Sequence, residues 1–172
     1  VARDDKDPMA HFGLGRAFSL THQIDNAIGE LTIATELNPN FAFAYLGMGH
    51  ALSRAGRIHE AIAALDTAIR LSPHDPILWT MEHLRAVAHL EIGDYEKAVA
   101  DAKLACRHPN TSFWSYLTLA SGLSYLGREQ EIAEAKSILY KFWPEFSMSE
   151  FAKMVPFDPA AWSNWRDGLH QA

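Results

Sequence analysis

AFAYLGMGHALSRAGRIHEAIAALDTAIRLSP, residues 42–73, holds two apolar-periodic stretches separated by Gly56 and closed by Pro73. In each stretch, apolar and small residues recur at intervals of three and four, the spacing of one face of an α-helix. Gly56 supplies the left-handed backbone that ends a helix without Cβ strain, and Pro73 cannot continue the second helix. The segment therefore predicts a helix pair over 42–55 and 58–71. The same lattice stands 34 residues upstream, where Gly15, Ala27, Ala34 and Pro39 match Gly49, Ala61, Ala68 and Pro73.

The period extends along the chain. Pro39, Pro73, Pro109 and Pro144 follow one another at 34, 36 and 35 residues, and turn glycines fall at Gly56, Gly93 and Gly127. Self-similarity at such a period signals an array of supersecondary units that bury a continuous core by stacking. Two antiparallel helices of about 13 residues, with two short turns, fill the period. Small residues are then expected where the two helices of a pair cross closely, hence Gly15, Gly49, Ala27 and Ala61. Leu31, Leu65, Tyr45 and Leu52 pack between neighbouring pairs. The remaining helices are expected over 8–21 and 25–37, 76–91 and 95–107, and 112–126 and 129–142. Asp7-Pro8 and Asp75-Pro76 each place a capping acid before a proline at the first helical position. Two positions depart from the pattern. His22 stands where the other repeats carry a turn glycine, which predicts a strained turn. Ile132 holds the position of Ala27 and Ala61, so Ala133 is expected to take the close-packing role.

Stacked units leave an apolar face at each end, which needs a cap. Ser147-Met148-Ser149-Glu150 reads as a capping box opening a short helix through Met154. Pro156 stops it and Asp158-Pro159 starts another, in which Trp162, Trp165 and Leu169 share one stripe away from Arg166, Asp167 and Gln171. Tryptophans at that spacing predict core rather than a ligand platform.

Composition limits function. With 48% hydrophobic and 21% charged residues, the 172-residue chain can bury its own core. The net charge of −6 and the lack of a basic run argue against nucleic-acid binding, which needs clustered Lys and Arg. Cys106, the single cysteine, excludes an intramolecular disulfide and fits a reducing cytoplasm. No apolar stretch approaches the roughly 20 residues that span a bilayer. Val1-Ala2-Arg3-Asp4-Asp5 has neither an initiator Met nor a signal-peptide pattern, so residues 1–7 read as a linker from a longer protein.

Nine histidines invite a metal site, yet no HxxxH or HExxH spacing occurs. Cys106 with His108 cannot complete a tetrahedral set. No G-x-S-x-G is present, and Cys106 has no placed base. Gly13-Leu14-Gly15 and Gly47-Met48-Gly49 fall inside helices with no preceding strand, so helix packing explains them better than a phosphate loop. No catalytic residue, metal or cofactor is expected.

The residues of the 34-residue lattice resemble the tetratricopeptide (TPR) repeat over about residues 8–144. The resemblance implies an all-α, right-handed superhelix of four helix pairs, 8–41, 42–75, 76–110 and 111–144, followed by a helical cap over 145–172. It also implies a concave groove lined by the first helix of each pair, whose second, fifth, ninth and twelfth positions face a peptide or protein segment. Counted from Pro8, Ala42 and Phe113, these are Met9, Phe12, Arg16 and Ser19; Phe43, Leu46, His50 and Ser53; and Trp114, Leu117, Ser121 and Ser124. Thr80, His83 and Val87 are the third-repeat equivalents, with Arg54 nearby. The Lys/Asn/Arg clamp that some TPR domains use for a terminal carboxylate is absent from these positions. Self-association through an end or the groove stays open.

Three stretches are more specific: Arg70-Leu71-Ser72-Pro73-His74-Asp75-Pro76 leading to Trp79; His108-Pro109-Asn110-Thr111-Ser112-Phe113-Trp114; and Val155-Pro156-Phe157-Asp158-Pro159 with Asp167-Gly168-Leu169. Together they resemble the C-terminal TPR region of bacterial class III adenylate/guanylate cyclases, a regulatory or scaffolding module whose catalysis sits in a separate N-terminal domain. A basic residue that the family pattern often carries between Phe157 and Asp158 is missing. The other readings are the TPR sensor region of a winged-helix transcription regulator and a stand-alone adaptor or assembly protein.

Overall fold

The computed structural model describes residues 6–147 and 163–171. Among these residues the chain forms nine α-helices and no strand. They are α1 (Pro8–Leu20), α2 (Ile24–Leu37), α3 (Ala42–Arg54), α4 (Ile58–Leu71), α5 (Leu78–Glu91), α6 (Tyr95–Cys106), α7 (Phe113–Tyr125), α8 (Glu129–Phe142) and α9 (Ser163–Gln171). The expected helices agree with α1–α8 to within one residue at every end but one. That end is the start of α5, placed at Pro76 by the sequence and found at Leu78. The chain first makes a tighter turn, with Leu78 N–H donating to the Asp75 carbonyl at 3.0 Å and Thr80 N–H to that of Ile77 at 2.9 Å. Asp75 still acts as a cap, accepting from Ile77 N–H at 2.9 Å. The capping box beyond Ser147, Pro156, Asp158-Pro159, Trp162 and the side chains of Trp165 and Arg166 lie outside the described residues.

Local chemistry sets the ends. Asp7 accepts from Met9 N–H at 2.8 Å ahead of Pro8, satisfying one of the orphan donors of α1. Gly56, Gly93 and Gly127 close the turns within pairs two to four with φ of 74°, 77° and 64°. His22 takes the same conformation at φ 60° in the first pair, as expected from its place in the lattice. A side chain there costs about 1 kcal/mol or more, and the Arg54 guanidinium donates to its Nδ1 at 2.7 Å.

The helices fall into two compact units, residues 1–84 and 85–172. In the first, Ala27, Leu31, Ala34, Ala61, Leu65 and Ala68 are fully buried. Each buried leucine contributes about 1.5–3 kcal/mol. The small residues work in register. A Cβ added to Gly15 would stand 2.6 Å from Leu31 Cγ and 3.2 Å from the Ala27 carbonyl. On Gly49 the values are 2.5 Å to Leu65 Cγ and 3.2 Å to the Ala61 carbonyl. One crossing geometry thus recurs 34 residues apart.

In the second unit Ala86, Leu90, Ala102, Leu117, Leu123 and Leu139 form the core. Arg85 on α5 pairs with Asp101 on α6 through two hydrogen bonds of 2.9 and 2.6 Å, with both side chains largely buried. Ala133 does not take the close-packing role: it is exposed, and Ile132 stays at the pattern position, half-buried against the core. On α7, Ala120 stands where Gly15 and Gly49 stand on α1 and α3, so this crossing already accommodates a Cβ. α9 packs on α7, where Ser124 Oγ donates to the Gly168 carbonyl at 2.8 Å. A Cβ on Gly168 would collide with Ser121 Oγ and stand 2.8 Å from the Tyr125 ring. Asn164 Nδ2 donates to the Leu90 and Glu91 carbonyls at 3.3 and 3.0 Å, giving partners to carbonyls at the C-terminal end of α5.

Candidate functional site

Helical spacing on α1 and α3 builds one open groove in the first unit. Phe12 and Arg16 are four residues apart on α1, and Phe43, Leu46, Gly47 and His50 follow a three–four spacing on α3, so each set shares a face. Ile77, Thr80 and Leu84 complete the lining of a groove of about 330 Å³. At one end Phe12 meets Phe41 edge-on at 5.3 Å between ring centroids and lies 6.5 Å from Phe43. Phe43 remains 38% exposed.

The electrostatics are one-sided. Arg16 has no ion-pair partner among the described residues. Its aliphatic stem runs beside Gly47, where an added Cβ would stand 3.6 Å from Arg16 Cδ. Burial first, then the Arg16 and Arg54 charges, push the His50 imidazole down to about 4. Burial and the neighbouring His50 lower His83 to about 4 as well. Both rings are therefore neutral near pH 7, where each offers one donor and one acceptor. Arg16 supplies the charge of the groove.

Of the residues expected at the groove, Phe12, Arg16, Phe43, Leu46, His50 and Thr80 meet there. Met9 is 58% exposed on α1 but lies outside the lining. Arg54 is spent elsewhere, donating to the Ser19 carbonyl at 2.8 Å and to His22. His83 is buried rather than presented at the surface. Trp114 and Leu117 belong to the second unit. Leu117 is fully buried in its core together with Leu169 of α9, while Trp114 stacks on Phe113 at 5.0 Å. The twelfth-position serines, Ser19 and Ser53, are also buried, as are Ser121 and Val87. Ser19 and Ser53 follow Gly15 and Gly49 by four residues, so they extend the stripe that faces the second helix of the pair. Ser124 bonds to the Ser121 and Gly168 carbonyls.

Sequence reasoning missed Ile77, Gly47 and Leu84. Ile77, Thr80 and Leu84 recur at i, i+3 and i+7, a signal that was available once the register of α5 was fixed. A second depression, lined in part by Lys103, Cys106, Tyr116 and Glu131, lies in the second unit. The Lys103–Glu131 ion pair sits in it, and burial pushes the Cys106 thiol up to about 12. That thiol is no nucleophile at neutral pH. Among the described residues, no group of three or more His, Cys, Asp or Glu is placed to hold a metal ion. No described helix is long and apolar enough to cross a membrane.

Comparison with known proteins adds to this geometry. No curated protein matches the chain in sequence. YrrB, a TPR protein with an unusual peptide-binding site, aligns over 96% of this chain and 88% of its own, at 14% identity with a TM-score of 0.70. MamA AMB-1 aligns over 88% and 80%, at 18% identity and 0.65. TTC0263, a thermophilic TPR protein of Thermus thermophilus, aligns over 97% and 84%, at 18% identity and 0.64. At these identities the likeness establishes an all-α TPR fold. The tetratricopeptide repeat model matches residues 15–76 and 46–112, more than half of the 172 residues, and the chain belongs to the tetratricopeptide repeat family.

Proposed function

We propose that the chain is a non-catalytic interaction module whose first-unit groove holds a segment of another polypeptide. The observation that carries this reading is the convergence of Phe12, Arg16, Phe43, Leu46 and His50 on one open groove. Extended peptides and helices dock in such grooves through side-chain pockets and a few charge contacts. The peptide-binding site of YrrB supports the reading by analogy of fold. In a pull-down from the source cells, the double variant Arg16→Glu with Phe43→Ala loses the partner that the wild-type chain retains, with helical circular dichroism unchanged. An unchanged pull-down overturns the assignment.

The finer reading places this module in a cytoplasmic bacterial signalling protein of adenylate cyclase type, as its regulatory or scaffolding C-terminal region. The Arg70–Pro76 stretch with Trp79, the His108–Trp114 stretch and the Val155–Pro159 stretch support it. The full-length reading frame is the test. A cyclase domain upstream is the expected result, and a winged-helix domain there, or no further domain, overturns it.

A further inference from the structure

Building on the groove as a peptide site, we infer that its occupant is an internal peptide segment carrying an aspartate or glutamate close to a bulky apolar side chain. In the first two pairs the acidic residues are segregated onto the second helix. α1 and α3, which supply most of the groove, contain Arg16 and Arg54 and no acidic residue. The helices behind them hold the acids: Asp25, Glu30 and Glu36 on α2, and Glu60 and Asp66 on α4. A chain of net charge −6 thus presents a cation, Arg16, and no acid in the lining of this apolar groove.

Within that groove the charge stands beside the apolar pocket. The Arg16 stem lies along Gly47, between Phe12 on its own helix and Leu46 and His50 on the next. The lining contains no carboxylate to compete for its guanidinium, and the His50 imidazole beside it is neutral. A carboxylate gives such a fork two charge-assisted hydrogen bonds, and the Thr80 hydroxyl on the opposite wall offers a further donor. Leu46, Ile77 and Leu84 form an apolar surface that takes one aliphatic or aromatic side chain of the same segment. A basic ligand meets like charge, and a purely apolar one leaves Arg16 desolvated and unpaired, which is costly. The peptide's own termini are not required.

The test is selection of randomised 12-residue peptides, displayed with both ends blocked, on the whole chain. Most enriched sequences are expected to carry Asp or Glu within four residues of Leu, Ile, Met or Phe. For the tightest one made as an amide-capped peptide, changing that acid to its amide weakens binding about tenfold. Arg16→Gln in the protein causes the same loss, after which the peptide change costs nothing more. Arg16→Lys, which keeps the charge, retains part of the affinity and guards against misreading a folding defect. Peptides that need Phe43 and Leu46 but show no acidic preference overturn this inference and leave the groove reading standing. Binding indifferent to Phe43→Ala with Leu46→Ala, or no enrichment, overturns both. Conversion of a dimer to a monomer by Arg16→Glu in light scattering identifies a second copy of the chain as occupant and overturns the peptide assignment.

Discussion

Gly49 packs its bare α-carbon against Leu65, so closely that an added Cβ would stand 2.5 Å from Leu65 Cγ. The Ala61 carbonyl, 3.2 Å from the same point, is backbone and cannot rotate aside. Gly49→Ala therefore forces the α3–α4 crossing apart and destabilises the chain by about 1–3 kcal/mol. Gly13 and Gly29 are helical glycines with nothing within 4 Å of an added Cβ. Alanine there stabilises by about 0.5–1 kcal/mol through lost unfolded-state freedom. Urea unfolding of the three variants reads the contrast, and equal effects would sink the crossing account.

The turn glycines make a different demand. Gly56 has open space around it but a φ of 74°, so alanine meets no neighbour and the cost is that of the backbone alone, about 1 kcal/mol or more. Gly93→Ala and Gly127→Ala share that cost, since their φ values are 77° and 64°. A thermal melt of Gly56→Ala matching the wild type refutes the backbone account.

These two devices explain how much was legible in the sequence. A left-handed turn and a close helix crossing are local demands for particular residue types, so Gly56, Gly93, Gly127, Gly15 and Gly49 announced the helix pairs, and even the strain at His22 could be read. The groove was legible where helical spacing alone decides which way a side chain faces, as for Phe12, Arg16, Phe43, Leu46 and His50. It failed where another element intervenes. Leu117 and Ser121 have the spacing expected of the groove-lining first helix of a pair, yet α9 covers that face of α7, a contact no local pattern encodes. Ser19 and Ser53 failed for a geometric reason, since the twelfth position shares the buried stripe of the crossing glycine. Ile77 and Leu84 were hidden by the tight turn after Asp75, which shifted the start of α5.

The Arg85–Asp101 pair is the largely buried ionic contact of the second unit, its two side chains 18% and 10% exposed. His89 Nε2 lies 3.8 Å from the same carboxylate, and its Nδ1 has no hydrogen-bond partner. Asp101→Ala removes both hydrogen bonds to the largely buried guanidinium and costs about 1.5–3 kcal/mol. Replacing both, Arg85→Met with Asp101→Leu, recovers most of that loss because the desolvation penalty disappears with the charges. Chemical denaturation of the single and double variants measures it; a double variant as unstable as the single one contradicts this reading.

The half-buried His50 and the buried His83 give the first unit a directional response to acid. His50 and His83 hold proton affinities near 4 in the folded chain, against 6.5 for an ordinary histidine. Burial is the main cause for both, with the Arg16 and Arg54 charges adding for His50. Below pH 6.5 the unfolded chain therefore binds more protons than the folded one, and linkage requires stability to fall as pH drops from about 6.5 towards 4. The slope approaches about 1.4 kcal/mol per pH unit for each imidazole in the middle of that window. Above pH 7 both rings are neutral in either state and their contribution is constant. Urea midpoints from pH 7.5 to 4.5 should decline for the wild type and decline less for His50→Gln with His83→Gln, whose amides do not titrate. An undiminished slope in the double variant would assign the acid sensitivity to other groups.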